Sequence, residues 1–266
     1  MTEPIVRVEE RDGIATVTLN RPEALNALST HLVAALCEAF EQLAGNDNTE
    51  VAILTGAGRA FSAGVDLKEL SGERERPPAP THRDDADRLT RAMGAFEGPI
   101  IGAINGFAIT GGFEVALMCD ILIASTEARF ADTHARVGIA PGWGLSQKLP
   151  RMIGVGRAKE LHFTGNFIDA EQADRWGLVN RVVAPDALLE TCQALARDML
   201  GCDRRTLRRY KDMVDSGYAT TFREGLILEG KASKEHRATV TQQDVAGRRA
   251  GIQDRGRGQK EGPGPR

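Results

Sequence analysis

Cysteine is scarce in this 266-residue chain: Cys37, Cys119, Cys192 and Cys202 form no C-x-x-C pair and have no histidine at zinc-ligand spacing. That pattern argues against a zinc motif or a disulfide framework. It leaves four reduced thiols, and Cys37 and Cys119 lie inside apolar helical patterns where buried free cysteines are common. Long apolar runs are missing too. No stretch approaches 18 uninterrupted apolar residues, and Met1-Thr-Glu-Pro4 is not a basic start leading into an apolar segment. Neither a membrane span nor a secretory leader is expected, and a cytoplasmic location is the default. Positive charge is not in excess: 34 Lys and Arg stand against 37 Asp and Glu, a net charge of −3. No global basic field recruits nucleic acid, so any anion is bound locally and neither nucleic acid nor membrane is an expected partner. Two nucleotide signatures are also lacking. No G-x-G-x-x-G sits between a strand and a helix, since Gly154-Val-Gly156 runs on into Arg157-Ala-Lys159, and there is no G-x-x-x-x-G-K-[ST].

What is present is a soluble globular composition, 41% hydrophobic and 27% charged, long enough for one large domain or a core with an appendage. Ile5–Glu10 and Ile14–Leu19 alternate around Asp12-Gly13, which predicts a hairpin. Ser29 or Thr30 can cap a helix to about Leu43, and Val51–Thr55 reads as a buried strand. Ser71–Asp85 is charged and proline-bearing, so it predicts a mobile surface loop, with a helix from about Asp87 to Phe96. Ile121–Ala124 reads as another short buried strand, and Thr126–Pro141 as an irregular segment. Helices dominate afterwards, with Phe222, Leu226 and Ile227 as apolar anchors in the C-terminal part. Short strands followed by helices argue an α/β core, and the helical end a separate assembly module.

The chemistry centres on Pro99–Asp120. A buried strand passes through Asn105-Gly106 and reaches Gly111-Gly112 just before an apolar helix carrying Glu114. Two glycines at a helix start leave open, unpaired N–H groups at an electropositive end. A carboxylate three residues later leans back toward that end. Anion donors and an acid–base group therefore lie close together.

Three segments in register resemble the enoyl-CoA hydratase/isomerase, or crotonase, family: Phe61-Ser-Ala-Gly-Val-Asp-Leu67, Asn105 through Asp120, and Phe130–Gly142 with its continuation to Leu149-Pro-Arg151 and Gly154. The resemblance runs from about residue 5 to about residue 245. It implies an α/β fold, a spiral of ββα repeats over residues 1–200, with a helical oligomerisation module over 201–250. The glycine- and charge-rich 251–266 is expected to be a disordered tail. It further implies a homotrimer or dimer of trimers, an acyl-CoA thioester substrate, and no cofactor beyond the coenzyme A of that substrate.

In the family, two backbone N–H groups hold the thioester oxygen while an enolate forms; by position these are Val65 and Gly111. Glu114 falls where hydratases carry the glutamate that handles the adding water. The second family glutamate falls seven residues before Pro141, and that position holds His134. Histidine also does acid–base work near neutral pH. In an extended segment Asp132 would face the same way, so Asp132 and His134 either form a pair in which the carboxylate orients the imidazole or merely brace the loop. Arg59, Ala60, Ala63 and Asp66 match the coenzyme A loop of relatives; Asp66 can equally cap the next helix, and Arg59 can be simply solvated. Trp143 either walls the acyl pocket or packs in the core. Arg204, Arg205, Arg208 and Arg209 read as a solvated helix face or an intersubunit contact. The expected reaction is hydration of a 2-enoyl-CoA to a 3-hydroxyacyl-CoA. Isomerisation, thioester hydrolysis and acyl-CoA binding without turnover are the alternatives raised by His134.

Overall fold

The computed structural model describes residues 3–75 and 82–261. It divides into two compact units, Met1–Arg208 and Arg209–Arg266.

The first unit opens with β1 (Val6–Arg11) and β2 (Ile14–Leu19), paired antiparallel across Asp12 and Gly13, both at positive φ. That is the backbone a two-residue hairpin turn requires. Helix α1 (Thr30–Ala44) follows, with the Ser29 side chain accepting the Leu32 N–H. Next come β3 (Val51–Gly56), β4 (Ala60–Ser62), α2 (Leu67–Leu70) and α3 (His82–Ala95). Strands β5 (Ile100–Ile104) and β6 (Phe107–Ile109) lead to α4 (Gly111–Ala116), and β7 (Ile121–Ser125) and β8 (Arg129–Ala131) lead to α5 (His134–Val137). Helices α6 (Leu145–Ile153) and α7 (Val155–Thr164), strand β9 (Ile168–Asp169), α8 (Ala170–Arg175), β10 (Arg181–Val183) and α9 (Leu188–Leu200) complete it.

These strands form a six-stranded sheet ordered β1-β2-β3-β5-β7-β10 and a four-stranded sheet ordered β4-β6-β8-β9. Each turn of the chain lays one strand in the larger sheet (β3, β5, β7), the next in the smaller (β4, β6, β8), and then a helix. That is the expected spiral of ββα repeats. The larger sheet is covered on both faces at its centre, so β3, β5 and β7 are largely apolar and their period of two sorts side chains between two cores. Val51, Ile53, Ile101, Ala103 and Ile123 face a cluster closed by Leu188, Cys192 and Ala196 of α9. Ala52, Leu54, Ile100, Ile104, Leu122 and Ala124 face the main core, where Phe40, Phe61, Phe113 and Phe130 are buried. Burial pushes the Cys192 thiol up to about 12, consistent with an unreactive thiol.

Helix α10 (Arg204–Tyr218) carries the chain into the second unit, which also holds α11 (Phe222–Arg237) and α12 (Gln242–Glu261). Thr221 and Glu224 form a reciprocal capping box on α11. Phe222, Leu226 and Ile227, expected as apolar anchors, are exposed in the single chain.

Four expectations need correction. The division falls at 208/209 rather than 200/201; Arg204 pairs with Asp47 and Arg208 with Glu97 at 2.8 Å, tying the start of α10 to the first unit. Within the supposed loop 71–85, α3 already begins at His82, while residues 76–81 lie outside those described. The supposedly irregular 126–141 contains β8 and α5. Strand β8 is only three residues long and is defined by its parallel pairing with β6, a partner that local sequence does not reveal. The tail expected to be disordered from 251 continues α12 to Glu261. Thr241 and Asp244 cap this helix reciprocally, and it is rich in the helix-favouring Gln, Arg and Lys; residues 262–266 lie outside those described. Among the described residues no helix is long and apolar enough to cross a membrane.

Candidate active site

The anion-binding part of the site is built from two loops. After β4 the chain turns through Gly64 at φ +87°, where a Cβ would lie 2.6 Å from the Ile109 carbonyl oxygen. Only glycine fits that approach. The turn lets Leu28 bridge to the segment: Leu28 N–H donates to the Gly64 carbonyl at 2.7 Å and Asp66 N–H to the Leu28 carbonyl at 3.3 Å. In a parallel bridge the intervening residue's own N–H points the other way, so the Val65 N–H faces away from Leu28. Gly111 opens α4, where its N–H has no intrahelical acceptor. A Cβ on Gly111 would touch Leu28, Trp143 and Val65, all three lining residues of a cleft of about 320 Å³. The two expected donor residues are therefore neighbours, Val65 lining that cleft and Gly111 packed against its wall.

Thr110, just before Gly111, holds φ +53° and ψ −111°, an unfavourable backbone for a β-branched residue. Its N–H donates to the Ala131 carbonyl at 2.9 Å, and its hydroxyl lies 2.6 Å from that of Thr133 and accepts the Thr133 N–H at 3.0 Å. These bonds hold the turn that aims Gly111 and fasten it to the segment carrying Asp132 and His134.

Glu114 is buried in the first turn of α4. Its Oε1 accepts the Trp143 N–H at 2.7 Å and, more distantly, the Leu145 N–H at 3.4 Å. Its Oε2 stands 3.6 Å from His134 Nε2. Burial raises the Glu114 carboxyl above its usual range, and the opposing pull of the Trp143 N–H and of His134 does not cancel that effect.

The Asp132–His134 pair exists: Asp132 Oδ1 lies 2.6 Å from His134 Nδ1 and also accepts the His134 N–H at 3.1 Å. The backbone producing it is not extended. Thr133 sits at φ −100°, ψ 10°, and α5 starts at His134, so a turn folds the carboxylate back onto the ring. A third residue joins them. His162, on α7, places Nδ1 2.5 Å from Asp132 Oδ2. Burial works against the charge on Asp132, but the hydrogen bonds from His134 and His162 outweigh it and hold the carboxyl below its usual range. Local sequence offers no signal for His162, because its contact depends on α7 returning over the β8–α5 turn. The clamp on Glu114 was equally illegible, being made by backbone N–H groups of another segment.

The remaining expected residues divide. Trp143 lines the cleft beside Leu28, Val33, Leu70 and Ile139. Asp66 also lines it and caps α2, its side chain accepting the Lys68 N–H at 3.1 Å, while Arg21 at 2.7 Å and Arg74 at 2.9 Å pair with it. These interactions hold its carboxyl low against the cost of burial. Ala60 lies in β4, its carbonyl taken by the Asn26 side chain at 2.8 Å, and Ala63 N–H donates to the Leu25 carbonyl. The Arg59 side chain is exposed, and neither Arg59, Ala60 nor Ala63 lines the cleft. Among the described residues no group of three or more His, Cys, Asp and Glu is arranged to hold a metal ion.

The sequence profile of the enoyl-CoA hydratase/isomerase family matches residues 9–253. A protein of Arabidopsis thaliana named a probable peroxisomal enoyl-CoA hydratase is 37% identical over 91% of this chain and 91% of its own length. A short-chain-enoyl-CoA hydratase of Clostridium acetobutylicum is 35% identical, covering 90% of this chain and 92% of that protein. Among solved structures, an enoyl-CoA hydratase from Bacillus anthracis superposes with a TM-score of 0.84 at 34% identity, covering 94% of this chain and 97% of that one.

Proposed function

The chain belongs to the enoyl-CoA hydratase/isomerase family, and from that premise we propose that it adds water across the α,β double bond of a 2-enoyl-CoA to give a 3-hydroxyacyl-CoA. The observation that carries this reading is a cleft lined by Val65, Glu114 and His134, with Gly111 packed against its Leu28, Val65 and Trp143 and the two acid–base side chains 3.6 Å apart.

The proposed steps use that geometry. The thioester oxygen takes the two N–H groups, which stabilise it as it gains enolate charge; loss of one such donor costs about 2.7–4 kcal/mol in acyl-transfer sites. Glu114, ionised and held through Oε1, takes a proton from water on Oε2 while the water oxygen bonds to the β-carbon. The double-bond electrons move to the thioester oxygen. His134, as an imidazolium backed by Asp132, then gives its Nε2 proton to the α-carbon as the enolate collapses. Passage of the Glu114 proton to His134 Nε2 closes the cycle. Burial of Glu114 makes it a stronger base than a solvated carboxylate. Two acid–base groups suit hydration, in which water and the α-carbon are handled separately, whereas moving a double bond needs only one base.

Coenzyme A arrives with the substrate, and these steps call for no metal or redox cofactor. A homotrimer or dimer of trimers is the proposed assembly, supported by the exposed Tyr218, Phe222, Leu226 and Ile227 of the second unit. The proposed location is cytoplasmic, and cell fractionation tests it against the peroxisomal location in the Arabidopsis relative's name.

A screen of enoyl-CoA chain lengths with product analysis tests the reaction. A 3-hydroxyacyl-CoA product is expected; a shifted double bond, free coenzyme A, or tight binding without conversion overturns hydration. Loss of crotonyl-CoA absorbance assayed in His134→Ala tests the second group, and full retention removes its role.

A further inference from the structure

His162 is left unused by the steps above, yet it touches them at one remove. Asp132 is buried and both its oxygens are engaged, Oδ1 by the ring and N–H of His134 and Oδ2 by His162 Nδ1. A carboxylate only accepts hydrogen bonds, so both imidazoles carry a hydrogen on Nδ1. For His134 this leaves Nε2 as the atom facing Glu114 and the cleft. For His162 it leaves Nε2 enclosed, where it has no hydrogen-bond partner. A buried lone pair without a partner is less costly than a buried N–H without one, which favours the Nδ1–H tautomer of His162 on its own account.

Geometry explains what the second imidazole adds. Asp132 and His134 are two residues apart on a turn, and a carboxylate held only by its neighbour can rotate about its side-chain bonds. His162 sits on a helix packed across that turn and pins Oδ2 from the far side. A pinned Asp132 leaves Oδ1 one direction in which to receive His134 Nδ1–H. We propose that His162 is a positioning residue: it locks Asp132 so that Asp132 fixes the tautomer and the aim of His134 toward Glu114.

The activity consequences rest on the hydratase reading, whereas the fixed tautomer does not, so two kinds of measurement separate them. His162→Ala removes the donor; His162→Asn restores an N–H near the position of Nδ1. In enoyl-CoA hydration His162→Ala is expected to lower kcat by about 10–100-fold, the range for a residue that orients a histidine at metal sites. KM should stay unchanged, and His162→Asn should recover most of the loss. The His134 Nδ1–H resonance in the proton NMR spectrum, assigned with His134→Gln, should shift or broaden in His162→Ala and return in His162→Asn. That resonance needs no turnover, so an inactive wild-type protein would sink the hydratase reading and leave this test intact. An unaltered His134 signal in a folded His162→Ala protein overturns the proposal. So does a kcat loss that His162→Asn fails to repair.

Discussion

His134 Nε2 faces Glu114 Oε2 at 3.6 Å, and the two side chains reach that distance from separate ββα repeats under separate restraints. Glu114 is held by backbone N–H groups of the segment entering α6, and His134 by Asp132. Their approach puts His134 among the influences on the buried Glu114 carboxyl, and the two restraints set the first two expectations below.

Glu114→Gln should lower kcat by about 10²–10⁴-fold, the usual contribution of a general base. The same change should stabilise the fold at neutral pH. A carboxyl whose folded pKa is raised above its ordinary 4.5 favours folding fully below that value and loses the contribution as pH rises through the folded pKa. Glutamine carries no such charge and can still accept the Trp143 N–H. Urea unfolding of both proteins from pH 4 to pH 8 checks this; a variant no more stable than the parent at pH 8 refutes it.

Asp132 has the opposite sign. Its folded pKa lies below the ordinary 3.8, so its stabilisation is present above that value and disappears as pH falls through the folded one. Asp132→Asn should therefore unfold more easily than the parent at pH 7, with the difference shrinking below about pH 4. Activity should fall by about 10²–10⁴-fold, because an amide cannot accept from both imidazoles and donates to one, imposing the wrong tautomer. Equal stability at pH 7 would count against the account of the pair.

Gly64→Ala tests the oxyanion donors without touching an ionisable group. The new Cβ meets the Ile109 carbonyl oxygen at 2.6 Å on a backbone with φ +87°, so the turn must shift and carry the Val65 N–H with it. A fall in kcat of about 10²–10³-fold is expected, with a stability loss of about 1–3 kcal/mol. Unchanged kinetics in a folded variant would remove Val65 from the site.

Phe222 is 83% exposed and Ile227 65% exposed on α11. In the proposed trimer or dimer of trimers, apolar side chains this open would be covered by association. Phe222→Asp should shift the protein from trimer or hexamer toward monomer in sedimentation velocity. A parent protein that sediments as a monomer ends the trimer proposal.

Local patterns accounted for much of the first unit. The Asp12-Gly13 turn, the Ser29 cap and the apolar strands β3, β5 and β7 each carry their instruction within a few residues. Among the elements that escaped were short strands defined by a distant partner, such as β4 and β8, which pair with β6, and the four-residue α5, whose first residue is His134. Helix α12 was obscured differently, its many glycines suggesting a tail while its cap and its Arg, Gln and Lys residues support a helix.

For the site, residue types and spacing along the chain were enough to select Gly111 and Glu114, because an open amide at a helix start and a carboxylate in its first turn are local arrangements, whereas Val65 and His134 were selected by their positions in the family resemblance. Only the tertiary structure decided how those groups are tuned. The Trp143 N–H that holds Glu114 lies 29 residues away and the His162 ring that pins Asp132 lies 30 residues away. Contacts at that separation are set by how whole helices pack over the sheets, and no short stretch of sequence encodes the packing by itself.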